Sequence, residues 1–311
     1  MWSYIFKRIL VAIPTLLIIS FMIFSLLYIT PGDPVLLMLG SGDTQSVSQE
    51  QYDAVRAELG LDKPFFERYM DFITGAVTGD LGTSYITGED VFDTVMMRMP
   101  ATLILTVASV LVGLLVAVPL GILAAVKRGT GIDGFAMVLA TIGISVPSFV
   151  ICVLLMYLFC EKWKILPSYG LNSWKSYLLP VFCMAFSPIA YITRLMRSSM
   201  LEVMGQDYIR TERSKGVPEF TVIGKYALKN SILPVVTYIG PLVASLLTGT
   251  FIIEKLFSIP GLGRYFVSAI SDRDYSVTLG LTVFLGIMII VCNLVVDIMY
   301  VIIDPRVKID E

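Results

Sequence analysis

Few residues of this 311-residue chain are of a type and spacing that could carry out chemistry. Histidine is absent, which removes the commonest metal ligand and the commonest general base near neutral pH. No GxxxxGKS/T phosphate loop, Gly-x-Ser-x-Gly elbow or HExxH helix occurs. We therefore predict that the chain binds no nucleotide, cofactor or metal of its own and is not an enzyme. Four cysteines lie in or beside apolar runs, without the close pairing of a metal or redox motif, and are expected to fill packing space: Cys152, Cys160, Cys183 and Cys292.

One carboxylate, that of Asp297, lies inside an apolar run near the end of the sequence. Ionisable groups inside a membrane are expensive and are usually paired or functional. We interpret Asp297 as a structural charge that pairs with Arg194 or Arg197, and the alternative is a proton relay. Secondary transporters usually carry several such groups, so a single one argues against ion-coupled transport.

Hydroxyl side chains recur along two other apolar runs and could offer hydrogen bonds to a polar solute. Small residues at this spacing are also how membrane helices pack closely, and we favour packing for them. The candidates for lining a solute path are Thr141, Ser145, Ser148, Thr237, Ser245 and Thr248.

A charged segment between two apolar runs is predicted to form a short helix followed by a corner. Leu201, Met204 and Tyr208 share one face of a helix over residues 201–211. Gly216 stands where a helix often turns through a left-handed residue, and Pro218 suits the first turn of the next helix. Such a hairpin could be a knob for a partner's groove or could lie on the membrane surface. The candidate residues of this segment are Leu201, Met204, Asp207, Tyr208, Arg210, Thr211, Arg213, Lys215 and Gly216.

The elements that position these residues are predicted to be membrane-spanning helices. The sequence is 56% hydrophobic and 15% charged, with a mean hydropathy of +0.80, whereas a soluble domain carries roughly 25% charged residues. A helix needs about 20 apolar residues to cross the hydrocarbon core. Six runs meet that length, at roughly 9–29, 101–126, 133–160, 177–196, 232–257 and 276–303.

If the six runs cross the bilayer in alternating directions, the segments between them alternate between its two sides. Lys and Arg are then concentrated in the segments on the side of the N-terminus. The positive-inside rule then places both termini and the segment 197–231 in the cytoplasm. Residues 31–99 form a long loop on the other side, in which two short amphipathic helices are predicted. The first carries Tyr52, Val55 and Leu59 on one face. The second follows Pro64, and its apolar face is predicted to hold Phe66, Tyr69, Ile73 and Val77.

The segment Asp207–Gly216, DYIRTERSKG, resembles the cytoplasmic loop DYIRTARAKG of permease subunits of ATP-binding-cassette importers, in the dipeptide, oligopeptide and nickel subgroup. Glu212 and Ser214 stand where alanine is usual. Other parts of the sequence are similar to the same subgroup in the same order, notably the segments 31–34, 59–64, 79–82, 260–263 and 304–306. The resemblance extends over nearly the whole chain.

The resemblance implies an all-α permease with six transmembrane helices, forming a single domain over residues 1–311 in a bacterial or archaeal cytoplasmic membrane. It implies that the segment 197–231 couples the chain to two cytoplasmic ATPases, which hold the ATP and Mg²⁺. It also implies a heterodimer with a second permease and an extracytoplasmic substrate-binding protein, with no nucleic acid involved. Short peptides are the expected cargo, and nickel or glutathione is the alternative within the subgroup. An ion-coupled transporter and a membrane-bound sensor or scaffold are the rival classes.

Overall fold

A computed structural model describes residues 2–30, 34–39, 48–171 and 173–303 of the chain, and the side chains of residues 2–9, 37–38 and 297–303 lie outside this description. The described residues form helices, turns and one isolated β-bridge between Thr83 and Asp90. The predicted turn at 31–33 and the C-terminal segment 304–306 lie outside the described residues.

Fifteen α-helices are assigned in the described ranges. In chain order they are α1 Trp2–Ile29, α2 Pro34–Met38, α3 Gln49–Glu58, α4 Phe65–Thr78, α5 Val91–Val126, α6 Gly131–Ser145, α7 Ser148–Met156, α8 Lys175–Met204, α9 Asp207–Ser214, α10 Glu219–Thr221, α11 Leu228–Ser231, α12 Leu233–Gly249, α13 Phe251–Leu256, α14 Leu262–Ser271 and α15 Tyr275–Ile303. There are also two π-helical segments. Tyr157–Lys162 continues α7, and Val222–Ala227 joins α10 to α11.

Among the described residues, five helices are long and apolar enough to cross a membrane, or six if one bent pair counts as a single span. The higher of these two counts equals the number of runs predicted from the sequence. The third predicted span, 133–160, is the bent pair: α6 and the helix that follows it meet at an angle of 101°. Pro147 lies in the break, where proline disfavours helical geometry for the residue before it. The second span is longer than predicted, because α5 begins at Val91.

The described chain divides into two compact units, which we treat separately. The first comprises residues 1–102 and 260–290 and contains α1–α4, the start of α5, α14 and the first part of α15. One apolar cluster of this unit includes Val91, Val95 and Leu281, which are fully buried. The buried Asp274 accepts a hydrogen bond from the hydroxyl of Ser84 and ties the loop before α5 to the start of α15.

The two predicted amphipathic helices of the 31–99 segment are α3 and α4, and α4 begins directly after Pro64, as expected. The face predicted for α4 was partly wrong. Tyr69 is buried, but Phe66 and Val77 are 68% and 83% exposed. The side chains that pack inward beside Tyr69 are instead Phe65 and Phe72, because apolar residues occupy two adjacent arcs of this helix and only one faces α1.

The second unit comprises residues 103–259 and 291–311 and is organised around α8. Two glycines let neighbouring helices approach α8 closely: a Cβ on Gly121 would lie 2.6 Å from the Cβ of Met196, and one on Gly143 would lie 2.5 Å from that of Ala190. Small residues at such crossings are the usual means by which membrane helices pack. Residues 197–231, the segment singled out from the sequence, belong to this second unit.

Candidate functional site

The candidate coupling loop, residues 197–231, comprises the last turns of α8 and a series of short helices that leads to α12. The helix predicted over 201–211 is interrupted, which corrects the single face assigned to Leu201, Met204 and Tyr208. Leu201 and Met204 end α8, and after Gly205 and Gln206 a new helix, α9, begins at Asp207. An intact helix would have continued the direction of α8, whereas the break makes α9 a separate element.

Ile209 anchors α9 to the rest of the loop. It is fully buried, within the same apolar cluster as Met200, Val222 and Ala227. Ile209 was not among the residues predicted from the sequence, where the charged residues and Tyr208 of this segment stand out. The sequence does indicate that Ile209 is buried, since it is the only aliphatic residue among the eight of α9. A short polar helix must use such a residue for packing, because isolated helices of this length are unstable in water.

Two polar contacts support the same anchoring. The Nδ2 of Asn230 donates to the phenolic oxygen of Tyr208 at 2.8 Å. The hydroxyl of Ser231, which is fully buried, contacts the Sδ of Met200 at 3.2 Å. The start of α9 and the end of α8 are therefore both connected to the segment that leads into α12.

The predicted corner is confirmed at Gly216, whose φ is +79°. The N–H of Gly216 donates to the carbonyl of Arg213 at 3.0 Å, and the N–H of Val217 donates to the carbonyl of Glu212 at 3.3 Å. These bonds satisfy carbonyls that the end of a helix leaves open. No atom lies within 4 Å of a Cβ built on Gly216, so the requirement for glycine comes from the backbone angle and not from crowding.

A bidentate ion pair spans this corner. The Nε and Nη2 atoms of Arg213 donate to the carboxylate of Glu219 at 3.1 and 2.7 Å. Hydrogen bonding by Arg213 lowers the pKa of Glu219 below its usual range. Because this pKa is lowered in the folded state, the pair contributes its full stabilisation at pH values above the ordinary pKa of glutamate. The contribution is lost only as the pH falls through the lowered pKa. The corner is thus held at physiological pH.

Glu212 and Ser214, which stand where the subgroup usually has alanine, both form hydrogen bonds with nearby residues. Glu212 accepts a hydrogen bond from the Nζ of Lys215 at 2.7 Å, and this contact raises the pKa of Lys215. The hydroxyl of Ser214 donates to the carbonyl of Arg210 at 3.0 Å. Both side chains therefore stay within the last turn of α9 and its cap.

The outward side of the loop carries charged and aromatic groups. The side chains of Asp207 and Arg210 are 97% and 73% exposed, and their charged atoms are 3.6 Å apart. Phe220, in the first turn after the corner, is 87% exposed and was not singled out from the sequence. Thr211 and Lys215 are exposed as well. An exposed phenylalanine beside a rigid corner is the kind of side chain that a protein partner can bury.

Arg197, a predicted partner of the intramembrane carboxylate Asp297, has a second acidic residue beside it in the structure. Arg197 forms a bidentate pair with Asp133, at 2.6 and 2.8 Å, and Asp133 also accepts from the N–H of Gly129 at 3.0 Å. This pair joins the start of α6 to α8. Arg197, one of the two partners predicted for Asp297, thus pairs with Asp133, and Arg194, the other, is exposed. The pairing of Asp297 itself stays a prediction. The side chain of Asp297 lies outside the described residues.

The six hydroxyl residues proposed for a solute path are all exposed on the surface of this chain. The three threonine hydroxyls of this set each donate to a backbone carbonyl of their own helix: that of Thr141 to Met137, that of Thr237 to Leu233, and that of Thr248 to Ala244. These bonds keep the hydroxyls satisfied without any solute.

The cysteines are free thiols, two of them fully buried. Over the part of the chain that the structure covers, no three His, Cys, Asp or Glu side chains come together as a metal site would require.

Comparison with known proteins gives matches along the entire sequence. Residues 117–309 match the family described as "Binding-protein-dependent transport system inner membrane component", and residues 1–106 match the corresponding N-terminal family. The dipeptide transport system permease protein DppB of Bacillus subtilis is 37% identical over 100% of this chain and 99% of its own length. DppB of Escherichia coli K12 is 37% identical over 99% of both chains. The glutathione transport system permease protein GsiC of Escherichia coli O6:H1 is 38% identical over 99% of both.

Proposed function

Since this chain belongs to the family of binding-protein-dependent transport system inner membrane components, we propose that it is the transmembrane permease subunit of an ATP-driven importer of di- and oligopeptides. The observation that carries the proposal is the similarity to dipeptide permeases over the whole length of the chain, which includes the loop built around Gly216. A multi-pass membrane subunit of this family also accounts for the five to six apolar helices.

In the bilayer, the proposed arrangement has six spans with both termini in the cytoplasm. The third span is then the bent pair α6–α7. Residues 31–99 lie on the extracytoplasmic side and residues 197–231 on the cytoplasmic side, as the distribution of Lys and Arg favours. The proposed location is the cytoplasmic membrane of a bacterium or archaeon.

The candidate coupling loop is proposed to transmit the work of two cytoplasmic ATPases, which bind ATP and Mg²⁺ themselves. A coupling element must be rigid and must offer a surface to its partner. Burial of Ile209 and the ion pair between Arg213 and Glu219 provide rigidity. Arg210 and Phe220 provide exposed groups that an ATPase could contact. The chain is further proposed to pair with a second permease and to receive peptide from an extracytoplasmic binding protein.

The proposed solute path lies between the two permeases. A path between subunits must be lined by residues on the surface of each subunit. The six hydroxyl residues meet this condition, because all are exposed: Thr141, Ser145 and Ser148 on α6 and α7, and Thr237, Ser245 and Thr248 on α12. Packing against the second permease is the other use for these small side chains.

A second candidate cargo is glutathione, because the permease GsiC is as similar to this chain as the dipeptide permeases are. Two measurements test the function. The chain, tagged and purified from its native membrane, should bring two ATPase subunits with it, which an ion-coupled transporter or a sensor would not. Uptake of a labelled dipeptide should then be inhibited by unlabelled dipeptides more strongly than by glutathione, and the reverse order would reassign the cargo.

A further inference from the structure

The helix α4 presents different chemistry on each of its faces. Its inward face carries Phe65 and Tyr69, whose rings pack on three aromatic side chains of α1, namely Phe21, Phe24 and Tyr28. Another face is polar and exposed, and it carries Glu67, Asp71, Thr74 and Thr78. Lys63, just before the helix, lies 2.6 Å from Asp71 and 4.0 Å from Glu67, so this face carries a network of exposed charges.

A third face, between the other two, is apolar and largely uncovered. Phe66, Met70, Ile73 and Val77 follow one another at intervals of four, three and four residues, which is the spacing of one stripe along an α-helix. Phe66, Met70 and Val77 are 68%, 53% and 83% exposed, and Ile73 is partly buried at the border with the inward face. A stripe of this length is more than the scattered surface hydrophobics of an ordinary soluble segment.

The contacts of α4 with α1 show the depth at which this stripe lies. The phenolic O–H of Tyr69 donates to the carbonyl of Leu17 at 3.0 Å, and its oxygen lies 3.0 Å from the hydroxyl of Ser20. Both residues lie within Leu10–Ile29, the part of α1 that can cross a membrane. Along the helix axis, Ser20 lies about 14 Å before Ile29, the last residue of this membrane-crossing part. A helix bonded at this level lies beside the membrane-crossing part of α1 and not beyond it.

We propose that α4 lies in the outer half of the bilayer, with Phe66, Met70, Ile73 and Val77 in contact with lipid acyl chains. Lipid is the occupant because α4 packs on α1, a helix that can cross a membrane and on which the apolar side chains of Ile18 and Met22 are also 61% and 57% exposed. The polar face of α4 then points to the headgroups and water. An amphipathic helix with this division of faces is typical of the membrane interface.

The arginine of α4 fits the same position. The guanidinium of Arg68 lies 5.9 and 5.8 Å from the ring centroids of Phe24 and Tyr28. Arg and Tyr near the end of a spanning helix are characteristic of the interfacial zone, where the charge reaches water while the aliphatic stem stays in apolar surroundings. The segment 31–99 is thus not wholly an aqueous loop.

A photo-reactive side chain tests the proposal in the assembled complex. With p-benzoyl-phenylalanine in place of Phe66, irradiation of native membranes should give adducts between the chain and phospholipid. The same group in place of Thr74, on the polar face, should give several-fold fewer. Adducts to another polypeptide at position 66, equal lipid adducts at both positions, or lipid adducts at neither would each overturn the proposal.

A nitroxide label gives an independent measurement that does not rely on crosslinking. In a variant with the four cysteines replaced by alanine, labels on Met70→Cys and Thr74→Cys are compared in vesicles of phosphatidylethanolamine and phosphatidylglycerol. Collisions with oxygen should dominate at position 70, and collisions with a water-soluble nickel chelate should dominate at position 74. The chelate dominating at both positions would place α4 in water.

Discussion

Arg213 and Glu219 join the end of α9 to the start of α10 through two parallel hydrogen bonds, at 3.1 and 2.7 Å, and Gly216 turns the chain between them. Both side chains are partly exposed, at 37% and 53%. Exposed pairs contribute at most about 1 kcal/mol to stability, so the role we assign to this pair is positional.

We predict that Arg213→Gln and Glu219→Gln each lower the amount of peptide taken up per ATP hydrolysed, without changing the thermal stability of the complex. The double variant should be no worse than either single one, because the two side chains act as one unit. Lys63→Gln, which breaks an exposed pair outside the loop, serves as the control and should leave the ratio unchanged. Losses that simply add in the double variant would show that the two residues act separately.

Gly216→Val should reduce uptake at matched expression, because a β-branched residue with positive φ is strained by about 1 kcal/mol or more. The spans should still insert, since their stability comes from burial in lipid and satisfied backbone groups. Gly224→Val is the matched control, because Gly224 lies in the same loop with negative φ and open space around its Cβ. Gly240 would not serve, since a Cβ there would lie 3.0 Å from Oδ1 of Asn293. Normal uptake by Gly216→Val would refute the role of the corner.

Ile209→Ala should detach α9 from its cluster, because removing a buried aliphatic side chain costs about 2–5 kcal/mol. Cleavage of the loop by an added protease in inside-out vesicles should become faster, and ATPase subunits should be lost during purification. Ile209→Val removes one methylene group, at about 0.5–1.5 kcal/mol, and should have a much smaller effect. Equal behaviour of the two variants would mean that burial of Ile209 does not hold the helix.

Topology is tested by labelling single cysteines in a variant without the native ones. Ala54→Cys, on the exposed side of α3, should react with a membrane-impermeant maleimide in intact cells. Ser214→Cys should react only after permeabilisation, because we propose, from the positive-inside rule, that the 197–231 segment is cytoplasmic. Labelling of position 214 from outside would reverse the orientation.

Sequence patterns predicted the features that depend on local chemistry. Runs of about 20 apolar residues marked the spans, Pro64 marked the start of α4, and Gly216 marked the corner, because each signal acts within a few residues of itself. The break at Gly205 and Gln206 was missed, although glycine is a common residue at the end of a helix. The packing of Ile209 into its cluster is a tertiary contact that the local sequence did not specify.

Long-range partners were the part that the sequence could not specify. Arg197 pairs with Asp133, which is 64 residues away and was not singled out as its partner from the sequence. The buried face of α4 was misassigned for a related reason, because periodicity shows that two arcs are apolar but not which of them meets α1. Contacts between elements decide both cases.

ATP-driven uptake in a reconstituted system tests the central claim most directly. The complex purified through this chain is placed in sealed vesicles together with its binding protein, and accumulation of a labelled dipeptide is measured. We predict that accumulation requires ATP hydrolysis and persists when proton and sodium gradients are collapsed, while the isolated chain binds no ATP because it lacks a phosphate loop. Accumulation that follows an ion gradient without ATP would contradict the account.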